Sequence, residues 1–234
     1  MPQNKKIMTA TALEQILRDQ QEELFSRDES QLVTRREEQE FDLESQLAQI
    51  VIGVRRCGKS TLCQKVLKES GVNFAYVNFD DETLASLQAD QLNDVIQALY
   101  RIYGQFTHLF MDEIQNVPKW HLFVNRLLRQ GLYLVLTGSN ANLLSGELAT
   151  HLTGRYNEIH LYPFSFADYC VAKNVNTDAR TTKTRGLLMH AMDNYLKQGG
   201  LPETLFLKRQ DKYVSSLLTA IISKDICQRY SVRY

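Results

Sequence analysis

Apolar and polar positions alternate along this chain in two different rhythms. Short stretches built on apolar runs occur at Leu47 to Val54, Asn73 to Phe79, His108 to Gln115 and Leu132 to Thr137, with a further one at Ile159 to Phe166 broken by Pro163. Such runs read as strands buried on both faces, the mark of a parallel sheet. Between them the apolar residues fall at helical spacing: Leu62, Val66 and Leu67 within 60–70, the region 84–103 closed by Gly104, and Trp120, Phe123, Val124, Leu127 and Leu128 within 117–130, with Pro118 at its start and Gly131 after it. Upstream, Ala12 to Phe25 carries Leu13, Ile16, Leu17, Leu24 and Phe25 near one face of an amphipathic helix, and the charge-dense stretch 35–44 reads as helical and exposed. Downstream, helices are expected over 187–197, stopped at Gly199-Gly200-Leu201-Pro202, and over 213–230, with Val214, Leu217, Leu218, Ile221 and Ile222 on one side. That last apolar face needs a partner, either more of the same protein or a protein that docks there. Strands alternating with helices predict an α/β fold of three layers. The expected division is an acidic helical segment over 1–44, an α/β domain over 45–165 and a smaller helical region over 166–234.

The first run opens into Gly53-Val-Arg-Arg-Cys-Gly-Lys-Ser-Thr61, which fits the phosphate-loop pattern G-x-x-x-x-G-K-[ST]. A strand before it and a helix after it supply the context that the pattern requires. Gly53, Val54, Arg55, Arg56, Cys57, Gly58, Lys59, Ser60 and Thr61 would form the cradle, with backbone N–H groups and the positive end of the following helix facing an anion. Lys59 would reach the β- and γ-phosphates, and the Ser60 hydroxyl would take one position on Mg²⁺. The alternative is a glycine turn that binds nothing.

The third run ends in Asp112 and Glu113, the second motif of phosphate-loop ATPases. Asp112 would hold the metal together with Ser60, and Glu113 would polarise an attacking water as general base. A strand intervening between the two motifs is the arrangement of the glutamate-using members. No Asn-Lys-x-Asp guanine signature is present, which favours ATP as the ligand. After the fourth run, Asn140 is the first choice to touch a γ-phosphate or the water, with Ser139 close behind; a plain Gly-Ser-Asn turn is the other reading. Arg155 could reach a γ-phosphate, in its own subunit or in a neighbour's, or make an ordinary salt bridge. Asp80, Asp81 and Glu82 lie where open α/β sheets bind ligands, or else cap the next turn.

Composition narrows the picture little. The 234 residues are 44% hydrophobic and 23% charged, with a net charge of zero. The charge is uneven: residues 1–48 hold 6 basic and 11 acidic groups, and residues 171–234 hold 11 and 5. A basic end can mark a DNA surface, but these charges are scattered and match no DNA-binding module, so solvated helix faces are the better reading. No apolar run approaches the ~18 residues of a membrane span, and the polar N-terminus has no signal core. Cys57, Cys63, Cys170 and Cys227 show neither C-x-x-C nor zinc spacing. A reduced, cytoplasmic protein is expected. Cys57, at a helix N-terminus, is either a fairly reactive thiol or merely a small loop residue.

The two motifs, with Leu136-Thr-Gly-Ser-Asn140, Leu152-Thr-Gly-Arg-Tyr156, Leu161-Tyr-Pro-Phe-Ser-Phe166 and Gly199-Gly-Leu-Pro-Glu203, resemble the AAA-type ATPases of bacteria and archaea called simply ATP-binding proteins. The resemblance covers roughly residues 30 to 234. It implies a nucleotide-binding α/β domain followed by a helical, winged-helix-like region. Members usually continue into a C-terminal domain resembling restriction nucleases, and this chain is expected to stop short of it. Three functions follow as expectations: a Mg²⁺-dependent ATPase working on a protein partner or effector domain, with Arg155 supplied in trans by a homo-oligomer; a nucleotide-dependent switch with negligible hydrolysis; and an ATP-driven protein acting on DNA.

Overall fold

The computed structural model describes residues 9–26, 28, 32–139, 152, 154–207 and 209–227. Strands β1 (Ala48–Gly53), β2 (Phe74–Asn78), β3 (His108–Asp112), β4 (Tyr133–Ser139) and β5 (Tyr156–His160) form one sheet, every neighbouring pair parallel, in the order β2-β3-β4-β1-β5. The described α-helices are α1 (Ala10–Ser26), α2 (Lys59–Ser70), α3 (Leu92–Tyr103), α4 (Trp120–Arg129), α5 (Phe166–Ala172), α6 (Thr182–Gln198) and α7 (Gln210–Ala220).

The period-two geometry of a strand sorts the core into two layers. Ile50, Ile52, Ala75, Val77, Leu109, Met111, Leu134 and Leu136 point to one face and meet α1, α3 and α4. Val51, Phe74, Tyr76, Phe110, Val135 and Ile159 point to the other and meet α2 through Leu62, Cys63 and Leu67. This is the expected three-layer arrangement, and it leaves the C-terminal ends of all five strands on one edge. β4 lies between β1 and β3, so the loops after β1 and β3 flank it.

Four expectations are corrected. The N-terminal helix is not a separate segment: Leu13 and Leu17 are core residues, and the buried Gln20 side chain bonds both backbone groups of Asn78 on β2. The charge-dense stretch is not an exposed helix. Only Arg36–Glu40 forms a 3₁₀ turn, and Arg35 and Glu37 are buried as a pair. Residues 84–91 are turns and a 3₁₀ segment, because Leu84 and Leu87 enter the core from a loop tied down by Asp81 and Thr83, and the helix begins only at Leu92. The last described strand is Tyr156–His160, which overlaps the predicted run only at Ile159 and His160; it is an edge strand with only Ile159 fully buried, so its apolar signal is weak. From residue 166 onward the described residues form helices joined by loops, with no strand among them, and α7 continues as a π-helical stretch, Ile221–Cys227.

Candidate functional site

β1 ends at Gly53, where the chain runs so close to its neighbour that a Cβ would overlap the Leu161 carbonyl oxygen and lie 2.7 Å from Cys57 Sγ. The loop then turns through two left-handed residues, Arg56 (φ +65°) and Gly58 (φ +100°), and α2 begins at Lys59. Alternation of this kind makes a concave run of backbone that suits an anion. Arg55, Arg56, Cys57, Gly58, Lys59, Ser60 and Thr61 line a cavity of about 520 Å³ together with Asp112 and Glu113. Gly53 and Val54 serve it indirectly, accepting hydrogen bonds from Lys59 Nζ at 3.2 and 3.4 Å.

β3 delivers Asp112 to the same edge, fully buried. Ser60 Oγ donates to Asp112 Oδ1 at 2.9 Å, which joins the two sequence motifs directly. Thr137 on β4 donates to the same oxygen and accepts from the Glu113 N–H at 3.0 Å. Burial raises the Asp112 carboxyl to about 6, against hydrogen bonds from Thr137 and Ser60 that pull it down; the neighbouring Glu113 adds to the rise and Lys59 opposes it. Glu113 sits in the left-handed region (φ +51°), a costly place for a glutamate. Its carboxylate lies 3.5 Å from Lys59 Nζ and accepts from Gln115 Nε2.

A hydroxyl and a carboxylate on one spot are hard oxygen donors. Mg²⁺ binds through one or two such groups and keeps waters and phosphate oxygens for the rest, so Ser60 and Asp112 could hold it beside the loop. The loop, its lysine and the helix start could hold a polyphosphate.

The structure separates the remaining candidates. Asn140 lies outside the described residues. Thr137, which the sequence reading passed over, makes the β4 contact with the Asp112 carboxylate and the Glu113 backbone N–H; its signal was a polar residue closing an otherwise apolar run. Asp80 borders the cavity. Asp81 ties the following turn instead, and hydrogen bonds from Thr83 and Gln20 outweigh burial to hold its carboxyl below the ordinary value. Arg155 is corrected as a residue of its own chain's site. It is exposed and precedes β5, with its carbonyl accepting from the N–H of Ala48, the first residue of β1, at 3.0 Å. Five residue rises, roughly 17 Å, separate that end of β1 from the phosphate loop. The reactive reading of Cys57 also falls: the thiol is buried, and burial pushes it up more strongly than Lys59 pulls it down. All four cysteines are free. Among the described residues no helix is long and apolar enough to cross a membrane.

A family profile described as an AAA domain matches residues 45–170, more than half of the chain. An uncharacterised protein of Methanocaldococcus jannaschii is 34% identical over 189 residues, covering 79% of this chain and 43% of that protein. An uncharacterised protein of Haemophilus influenzae is 36% identical over 194 residues, covering 79% of this chain and 47% of its own length. The chain thus spans about half the length of the curated relatives it matches. Among solved structures, a Walker-type ATPase of Pyrococcus abyssi is similar with a TM-score of 0.47 and 17% identity, over 86% of this chain and 79% of that one. With the joined motifs, the strand order and the profile match in hand, the chain belongs to the AAA-type P-loop ATPase family.

Proposed function

We propose that this chain binds ATP with Mg²⁺ and hydrolyses it to ADP and phosphate, coupling the nucleotide state to a partner or effector domain. The observation that supports this most is the 2.9 Å bond from Ser60 to Asp112, with Glu113 beside Lys59 on the same cavity. The loop backbone and Lys59 would hold the phosphates. Ser60 and Asp112 would hold the metal, which supplies neutralisation of charge on the phosphate oxygens. Glu113 would align a water and take its proton. Arg155 would act only from a second copy of the chain, so an assembled form would turn over faster than a monomer.

ATP binding and turnover by the purified chain, with and without Mg²⁺, test this reading. Lys59→Ala should weaken binding about 10- to 100-fold, the worth of a charge-assisted bond. Glu113→Gln should keep binding and lower turnover by about 10²–10⁴. Binding indifferent to Lys59 would overturn the assignment.

A switch with slow hydrolysis is the second reading. It is favoured by Glu113 itself, whose carboxylate is already engaged by Lys59 and Gln115. Mg²⁺-dependent binding without measurable turnover, with partner capture kept in Glu113→Gln, would select it.

A further inference from the structure

One wall of the phosphate-loop cavity belongs to the helical region, and it carries a carboxylate. Glu203 lines the cavity together with Lys59, Ser60 and Asp112. Its Oε1 lies 3.0 Å from Nη1 of Arg56, the left-handed residue at the tip of the loop. Its Oε2 accepts a hydrogen bond from the Tyr213 hydroxyl on α7. Burial first, and Glu203 second, push that phenol up to about 12.

The turn bearing Glu203 has little freedom. A Cβ on Gly200 would overlap the Phe164 carbonyl oxygen, and the Phe164 N–H donates to the Gly200 carbonyl at 2.6 Å. Pro202 borders the cavity, and Thr204 Oγ1 closes the turn on the Leu201 carbonyl at 2.7 Å. α7 depends on this turn: Gln210 Nε2 donates to the Thr204 carbonyl at 2.8 Å, and no residue of α7 is fully buried. A continuous set of polar contacts therefore runs from the phosphate loop, through Arg56, Glu203 and Tyr213, to a helix with little apolar anchorage.

The pair at its centre is exposed, with 61% of the Arg56 side chain and 44% of the Glu203 side chain accessible. Pairs this exposed are weak and readily exchanged. A polyphosphate on the loop would offer Arg56 more negative charge than one carboxylate does, and would repel Glu203 across the same cavity. Resting on the nucleotide reading above, we infer that Arg56 exchanges Glu203 for the polyphosphate, and that the displaced Glu203 releases Tyr213 and loosens α7. The site thereby reports its occupancy to the helical region, as differential contacts in two states require.

The test is hydrogen exchange and equilibrium binding on the full chain, with the Mg²⁺ complex of a non-hydrolysable ATP analogue as probe. In wild type, the analogue should speed exchange of the amides in 210–220. Glu203→Gln, which removes the competing charge, should bind the analogue about two- to fivefold tighter, the range that the strength of an exposed pair allows. Tyr213→Phe leaves the Arg56–Glu203 pair in place. It should hold affinity within about twofold while exchange in 210–220 is fast with or without the analogue. Binding by wild type with unchanged exchange in 210–220, or Glu203→Gln binding no tighter, would overturn the latch alone. Wild type and Lys59→Ala both failing to bind would sink the nucleotide reading, and the latch with it.

Discussion

The α/β body and the helical region that follows it are held in different ways. The body buries two apolar layers against one sheet, with Ile50, Ile52, Leu67, Leu109, Phe110, Met111 and Leu134 essentially sealed from water. The helical region has a small core of Phe164, Tyr169, Ala191 and Leu205, and leaves Leu187, Met189, Leu196, Val214 and Leu218 exposed. Polar contacts tie the two together. Arg35 Nη2 donates to the Tyr162 carbonyl at 2.9 Å, its guanidinium lies 4.9 Å from the Phe164 ring centroid, and its Nε is 3.7 Å from Asp168. Arg56 meets Glu203 beside the cavity. Apolar burial is non-directional and hard to switch, whereas a few polar bonds at a ligand site can be exchanged. The contrast puts rigidity under the phosphate loop and adjustability beside it.

The strongest way to break this contrast is to damage each core. Phe110 is fully buried in the layer beneath α2, its ring centroid 5.1 Å from that of Tyr76. Phe110→Ala should cost about 3–5 kcal/mol and lower the main thermal transition by roughly 6–20 °C for a chain of this size. Leu205→Ala strikes the small core. It should leave that transition within about 2 °C and show instead as faster proteolysis within 200–220. Equal losses in calorimetry would mean that body and helical region unfold as one cooperative unit.

Arg35 sharpens the contrast at the joint. It pairs with Glu37 at 3.5 Å, both side chains being under a tenth exposed. Arg35→Met would leave Glu37 buried with, among the described residues, only the exposed Arg36, 3.5 Å away, as a cationic partner. Breaking a buried pair costs about 3–5 kcal/mol, and the residual partner puts this case near 3. Adding Glu37→Gln should restore more than half of the loss in urea denaturation, because the unpaired charge is then gone. No recovery in the double variant would mean that Arg35 acts through Phe164 and Tyr162 rather than through Glu37.

What could be read in the sequence follows the same division. β1 to β4 are predominantly apolar because both of their faces are covered, and the two motifs sit at strand ends, so the sheet and the Ser60–Asp112 junction were legible. Amphipathicity showed that α1 had an apolar face but not that the sheet would receive it. Arg35 and Glu37 looked like surface because charge alone does not reveal a partner; their burial depends on Phe164 and Asp168, more than a hundred residues away. Thr137 and Glu203 enter the site only through register and chain reversal. The own-chain and in-trans readings of Arg155 could not be told apart in the sequence, because distance from the motifs along the chain does not tell which end of a parallel strand a residue precedes.

The mildest test concerns acid, and it separates two ends of one strand within the body. His108 begins β3, stacked on Tyr133 with ring centroids 4.8 Å apart and with Nε2 2.9 Å from the Leu43 carbonyl. Burial lowers its pKa below the ordinary value, against that carbonyl's opposing pull. The unfolded chain therefore binds the proton first as pH falls through about 6.5, and stability drops with it. Asp112, at the other end of β3, works in the opposite sense. Its folded-state pKa of about 6 means that the native state takes up protons before the unfolded chain does, so acid relieves a burial cost. The two slopes partly cancel in wild type. His108→Gln removes only the first, so relative to wild type it should gain stability steadily between about pH 7 and pH 5, read as the difference in urea midpoints at each pH. A constant difference across that range would mean that the His108 ring is as easily protonated in the folded chain as in the unfolded one, and that the N-terminal edge of the sheet is wetter than its packing indicates.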